Sequence, residues 1–382
     1  MRRIAILMLV PFTCLVSAAW PQAQAQRKPQ IITFDAPGAG TGSGQGTNPF
    51  ALSPAGEITG FYFDASGVAH GFLRTRGGAI TTIDAPGAGT GSGQGTIVFA
   101  INPEGAIAGM DTDAGGVNHG FLRAANGTFT TFDAPGAGTD SGQGTVALNI
   151  NPSGVIVGAY IDVNDVFHGF VRAPDGAITA FDAPGAGTGK GPGAPSPFAS
   201  QGTFPNSATG LNPAGAISGT SVDSNNVRHG FLRAPDGAIT IYDAPGAGTG
   251  LLQGTFPSSI NTLGAVAGVT IDSSNVSHGF LRARDGAISS FDAPGAGTGS
   301  GQGTFPEGIN SLGAITGNYI DANNVSHGFV RDHDGAFTTF DVPAAGNGAG
   351  EGTIPVTNNP VDAITGSYID ANGVSHGFLR LP

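Results

Sequence analysis

Residues 278–326 read HGFLRARDGAISSFDAPGAGTGSGQGTFPEGINSLGAITGNYIDANNVS, and this 49-residue phrase recurs along the chain. His-Gly-Phe begins at His70, His119, His168, His229, His278, His327 and His376, at intervals of 49 residues with a single interval of 61. Asp-Ala-Pro-Gly travels with it at Asp35, Asp84, Asp133, Asp182, Asp243 and Asp292, and a weaker copy stands at Asp341. The long interval carries 12 extra residues, mostly Lys190 to Ser200. A fixed period of this length marks a repeat architecture, in which each unit buries its apolar face against the next.

Within one unit, four extended segments alternate with turn signals. In the third unit these are Val155–Ile161, Phe167–Arg172, Ile178–Phe181 and, across the insertion, Thr203–Leu211, the counterpart of Thr145–Ile150. Asp162-x-Asn164-Asp165 and Asp370-Ala371-Asn372-Gly373 have hairpin-turn composition. Pro-Gly and the glycine run break the chain before the last segment. No window sustains a helical period. Four strands in each of seven units predict an all-β, seven-bladed β-propeller.

The termini supply an independent argument. The seventh unit stops at Pro382, seven residues short of a complete repeat, and Lys28 to Phe34 precede the first Asp-Ala-Pro-Gly. Gln30-Ile31-Ile32-Thr33-Phe34 thus stands to complete the last blade and close the ring, which removes exposed sheet edges. The alternative is a parallel β-solenoid of two short coils per unit, because Gly-Ala-Ile recurs within the repeat.

Composition narrows the classes further. The chain has 382 residues, 66 of them Gly, with 11% charged residues and a net charge of −12. An apolar content of 39% with 24 Phe is too high for a disordered chain. Fifteen scattered Lys and Arg cannot neutralise a phosphate backbone, so nucleic acid is not an expected partner. Met1-Arg2-Arg3, the apolar Ile4–Ala19 and Ala23-Gln24-Ala25 have the order of a secretory signal peptide. The reading is a signal peptide over 1–25 and one repeat domain over 26–382, secreted, periplasmic or extracellular, with no membrane insertion after cleavage. Cys14 leaves with the signal, so the mature chain holds no thiol and no disulfide.

The unit resembles the HAF-type extracellular repeat, named for His-Ala-Phe followed by Leu. Here the motif stands as His-Gly-Phe-Leu or His-Gly-Phe-Val, with Ile101-Asn102-Pro103-Glu104-Gly105 and Ile260-Asn261-Thr262-Leu263-Gly264 downstream. Gly replaces the middle Ala, Arg replaces the usual aromatic after Leu, and the glycine run is longer. The resemblance covers Ile31 to Pro382 and implies an exported or surface-associated protein. It implies no activity.

The repeated side chains read structurally first. One His per unit beside an Asp near a strand end forms a hydrogen bond that fixes a hairpin. His-x-His and His-x3-His spacings are missing, so no metal and no cofactor are expected. Arg74, Arg123, Arg172, Arg233, Arg282, Arg331 and Arg380 read as strand-end ion pairs. The Asp-x-Asn turns offer too few carboxylates for calcium loops and read as Asx-turns. The glycine run lacks the Lys-Ser/Thr ending and the following helix of a phosphate loop.

A single active site should break the repeat, and Glu57, Glu104, Glu307 and Glu351 are scattered over different units. Repeat-breaking residues do gather in the loops after Asp-Ala-Pro-Gly of units three to five: Asp140, Lys190, Phe198, Leu251 and Leu252. Equivalent loops of a propeller share a face, so this arc is a candidate contact for a partner or glycan. The reading is a secreted, monomeric, non-catalytic repeat protein that binds a surface polysaccharide or protein, or serves as an envelope scaffold. The alternative is an extracellular carbohydrate-active hydrolase or lyase on the same fold.

Overall fold

The computed structural model describes residues 29–191, 200–206 and 209–382. The segment 1–25 and Phe198 lie outside the described residues. Twenty-eight strands, β1 to β28 in chain order, form one continuous all-β ring of seven repeats with no helix among the described residues. In the first repeat β2 (Gly46–Leu52), β3 (Ile58–Phe63), β4 (Ala69–Arg74) and β5 (Ile80–Ile83) pair antiparallel in sequence order. The same order of pairings recurs to β26 (Gly352–Asn358), β27 (Ile364–Ile369) and β28 (Ser375–Leu381). There β1 (Gln30–Phe34) supplies the outer partner of β28, with Ile32 opposite Leu379, and closes the propeller-like ring.

The ladders are antiparallel, so the parallel solenoid is not formed. Parallel pairing is confined to single-residue bridges between repeats, such as Gly46 with Ser375 and Gly95 with Ala69. Those bridges explain the glycine of Gln-Gly-Thr. Gly46 has φ 106°, and a Cβ there would collide with the carbonyl oxygen of Ser375. Only glycine lets two backbones meet so closely. A second departure concerns the expected strand Thr203–Leu211: β14 spans only Gly202–Pro205, and Leu211 makes an isolated bridge to Ile217.

The core is built one aromatic per repeat. The Phe of each His-Gly-Phe, from Phe72 to Phe378, is fully buried. Five of the seven pack edge-on against the aromatic of the preceding repeat's outer strand, as in Phe34–Phe72 at 6.2 Å and Phe132–Phe170 at 6.1 Å, whereas Phe121 and Phe329 lean on Phe129 and Phe337 of their own repeats. Burying such a ring stabilises the fold by roughly 1.5–3 kcal/mol each, so the repeats hold one another rather than standing alone. The first strands of neighbouring repeats contact one another around the axis. Six of them slip register by one residue at the same place, as between Pro49 and Ala51 or Pro306 and Gly308.

On the face bearing the INxxG turns, asparagine side chains link one repeat to the next. Asn102 Nδ2 donates to the Asn151 carbonyl, Asn212 to Asn261, Asn261 to Asn310 and Asn310 to Asn359. Asn359 reaches Ser53 across the closure.

Candidate functional site

The opposite face carries the glycine-rich loops and the Asx-turns, and its architecture is set by four side chains per repeat. Asp64 Oδ1 accepts the backbone N–H groups of Ser66 and Val68, which closes the β3–β4 turn. Its equivalents do the same in every repeat, for example Asp162 with Asn164 and Val166. The Val68 and Ser66 amides, together with His70, hold the Asp64 carboxyl below its ordinary value. His70 Nδ1 lies 2.8 Å from Asp84 Oδ1, and its Nε2 lies 3.7 Å from Asp64 Oδ2. Each imidazole therefore bridges the turn before it and the Asp-Ala-Pro-Gly segment after it. Hydrogen bonding to Asp182 raises the His168 pKa. For His119, burial works against the charged form and is outweighed by Asp133, Asp111 and Asp113.

The loops are then wedged between turns. Gln94 Oε1 accepts the Gly91 amide while its Nε2 donates to the Ala114 carbonyl, and the Gly93 amide donates to the Gly67 carbonyl. Each glycine-rich loop thus sits between the Asx-turn of its own repeat and that of the repeat before.

Beneath this frame a cleft lies at the first and at the third junction, and the two differ in what fills them. The residue before His-Gly-Phe is Ala69, Asn118, Phe167, Arg228, Ser277, Ser326 or Ser375. At the third junction Phe167 packs on Phe204 at 5.4 Å and Arg228 lies over the Phe256 ring at 5.7 Å. Those side chains leave only about 20 Å³. At the first junction the small Ala69 leaves a cavity of about 460 Å³. Phe63, Ile97 and Met110 form its apolar wall, and Ser92, Gln94, Thr112, Asn118 and Ser141 bring hydroxyl and amide groups. No charged side chain among the described residues lines it. Thr112 Oγ1 donates to Asn118 Oδ1 at 2.8 Å, so the polar groups are pre-set by one another.

The residues singled out from sequence are placed differently. Asp140 is exposed and adjoins Ser141 and Gly142 at the cavity rim, its amide donating to Gln143 Oε1. Lys190 Nζ pairs with Asp165 Oδ2 at 2.6 Å. Leu251 is 56% exposed, and Leu252 has φ 60° with its amide donating to the Asn226 carbonyl. None of these four lines the cavity. The column before His-Gly-Phe is not among the residues singled out from sequence, and its variation within an otherwise fixed motif is the signal that marks the junction. The arginines need correction: they form no strand-end ion pairs among the described residues. Arg74 lies over Phe34 at 4.8 Å, Arg172 over Phe132 at 4.7 Å and Arg380 over Phe340 at 4.9 Å, stacking on the preceding outer strand. Arg123 turns to Phe129 at 6.0 Å because Ile83 replaces the aromatic it would have met.

No grouping of three or more His, Cys, Asp or Glu suited to a metal occurs among the described residues. Nor do the described residues contain a helix long and apolar enough to cross a membrane.

No family model matches the chain, and no curated protein matches it in sequence. Among solved structures, the BP39L lectin from Burkholderia pseudomallei is similar with a TM-score of 0.54 at 10% identity, covering 87% of this chain and 94% of that one. A puromycin hydrolase mutant gives 0.49 at 12% identity over 86% of this chain and 53% of its own, so the present chain spans about half its length. AofleA from Arthrobotrys oligospora gives 0.44 at 13% identity, covering 82% and 90%. Identities this low speak to the fold alone.

Proposed function

We propose that this chain is an exported seven-bladed β-propeller, of the HAF-repeat type, that binds a neutral glycan in the cleft at its first repeat junction. Each antiparallel set of four strands is read as one blade, with β1 completing the seventh. Export is read from the 1–25 segment, and the 26–382 domain is proposed to act outside the cytoplasm, as a monomer. The observation that carries the binding reading is the uncharged cavity of about 460 Å³. Hydroxyl and amide groups facing an apolar wall suit a sugar, which presents hydroxyls at its edge and C–H groups on its ring face. An anionic or cationic ligand would lack a counter-charge there. A lectin is among the proteins sharing this fold, so the scaffold can carry a glycan site; the argument here rests on the lining, since fold alone does not give function.

The enzymatic alternative is less well supported. Glycoside hydrolysis uses a pair of carboxyl groups flanking the bond, and no Asp or Glu lines the cleft. A purely structural envelope role would leave the cleft without use.

The test is a thermal melt against a panel of neutral and acidic oligosaccharides, with Ala69→Phe as the control. A neutral glycan is expected to raise the Tm of the native protein through binding to the folded state. Ala69→Phe copies the Phe167 filling and is expected to abolish the shift while retaining the fold. A shift that persists unchanged in Ala69→Phe contradicts the assignment.

A further inference from the structure

The strand that walls the first-junction cleft departs from the other repeats where it lines that cleft. β7 (Ile107–Thr112) ends on Met110-Asp111-Thr112, where β11 (Ile156–Ile161) ends on Ala159-Tyr160-Ile161. The Thr112 column is otherwise apolar, with Phe63, Val222 and, in four repeats, an isoleucine such as Ile161. Thr112 stands across the ladder from Asn118, the first residue of β8 (Asn118–Arg123). One cross-strand pair thus brings a hydroxyl and an amide together, and both line the cavity of about 460 Å³.

Hydrogen bonds decide which end of that amide the cleft meets. Thr112 Oγ1 donates to Asn118 Oδ1 at 2.8 Å. Asn118 Nδ2 has only the Gly142 carbonyl, at 3.5 Å, the outer limit of a hydrogen bond. Turning the amide over would set its oxygen against that carbonyl oxygen, so the two contacts hold one orientation. Asn118 is half-buried and keeps its donor group at the cavity wall. Gln94, the other side-chain amide in the lining, is occupied at both ends by Gly91 and Ala114.

Met110 lies two residues from Thr112 on the same strand face, which puts its side chain beside the Thr112–Asn118 pair. The wall therefore sets a hydrogen-bond donor next to an apolar surface. A ligand hydroxyl meets the donor and leaves the apolar surface uncovered. An acetamido group meets both, its carbonyl oxygen accepting from Nδ2 and its methyl covering the thioether.

We propose that this cleft selects a 2-acetamido sugar, with Asn118 donating to the acetamido carbonyl, the methyl against Met110, and Thr112 as the positioning residue that holds the Asn118 amide. The inference rests on the neutral-glycan reading of the cleft and narrows it to one class of sugar.

The probes are N-acetylglucosamine and N-acetylgalactosamine, each beside its parent hexose and its free amine, titrated into the 26–382 protein at pH 7 by ligand-observed NMR. One acetamido sugar is expected to bind at least about tenfold more tightly than its hexose and its amine, because a site built around a hydrogen bond rejects the analogue that lacks the partner. Thr112→Ile installs the residue of four other repeats, and Asn118→Ser that of three. Both variants are expected to keep the native Tm and to lose the acetamido-to-hexose preference. A change in cleft volume alone would weaken both sugars together and leave that ratio unmoved. Asn118→Asp keeps the Thr112 bond but presents only acceptors, so its preference is expected to pass to the free amine.

A hexose that binds as tightly as its acetamido form overturns the inference and leaves the neutral-glycan reading standing. A preference retained in folded Thr112→Ile or Asn118→Ser does the same. If none of the six sugars binds, the inference falls. The neutral-glycan reading falls with it only when no oligosaccharide of the melt panel gives a shift that Ala69→Phe abolishes.

Discussion

Asp111 is where the chain departs most sharply from its own repeat. Its column holds Ser221 and Thr270 in two repeats and Tyr62, Tyr160, Tyr319 and Tyr368 in four, each tyrosine stacked on the neighbouring imidazole at 4.8–5.0 Å. Asp111 instead stands beside His119, 1% exposed, with Oδ1 unpartnered among the described residues. Burial, only partly offset by His119, raises its pKa to about 6. A carboxyl raised above its ordinary value near ~3.9 favours the protonated fold, so stability should fall as pH rises from about 4 through about 6 and then level off. At ~1.36 kcal/mol per pH unit the cost at neutral pH is up to about 3 kcal/mol. Asp111→Asn is expected to gain about 1–3 kcal/mol at pH 7 in urea unfolding, with the gain vanishing below about pH 4. An Asn variant less stable than wild type at pH 7 would contradict this account. Glycine in His-Gly-Phe has an equally local cause: a Cβ on Gly230 would stand 2.8 Å from the Tyr242 ring, and one on Gly328 2.9 Å from that of Phe340. Alanine in this motif would require a smaller residue on the outer strand.

Strands and turns were legible wherever one residue type had one job. The Asx-turn aspartates and the imidazole–carboxylate pairs follow from composition and spacing, because a short polar side chain next to a turn has few partners to choose from. The arginines did not follow: after Leu or Val at a strand end, a guanidinium meets either a carboxylate or an aromatic face, and only the packing of the preceding repeat decides. β14 stops at Pro205, short of the expected Thr203–Leu211, because the strand period alone does not mark where pairing stops. The threonine of Gln-Gly-Thr carries a further inter-segment contact. The Ala134 amide donates to Thr145 Oγ1 at 2.9 Å in the buried interior, and the bond recurs in all seven repeats, as with Ala36 and Thr47. It ties the start of each glycine-rich loop to the start of the next first strand. Thr145→Val keeps the shape and orphans a buried N–H, so a loss of about 1–3 kcal/mol is expected in equilibrium unfolding. Thr145→Ser should recover most of it. A valine variant as stable as wild type would show that the bond holds nothing.

At the scale of the whole ring, closure was readable from the termini because a missing strand at one end and a spare strand at the other are a matter of counting. Gln30–Phe34 indeed lies on β28, joining the ends of the described chain. The binding surface was harder to read. Loop substitutions such as Lys190 and Leu251 stand out in an alignment of the repeats, yet Lys190 is engaged with Asp165 and Leu251 lies outside the cavity. The cavity instead follows from side-chain volume: Ala69 opens at one junction what Phe167 and Arg228 fill at another. Volume differences of this kind carry no periodicity and become visible only when the column is seen to face a junction. The most direct test is backbone hydrogen exchange with and without the glycan that shifts the melt most. Slowed exchange is expected at residues 92–97, 110–118 and 141–142, which frame the first-junction cleft. Protection confined to the loops around Lys190 and Leu251, with those segments unchanged, would contradict it.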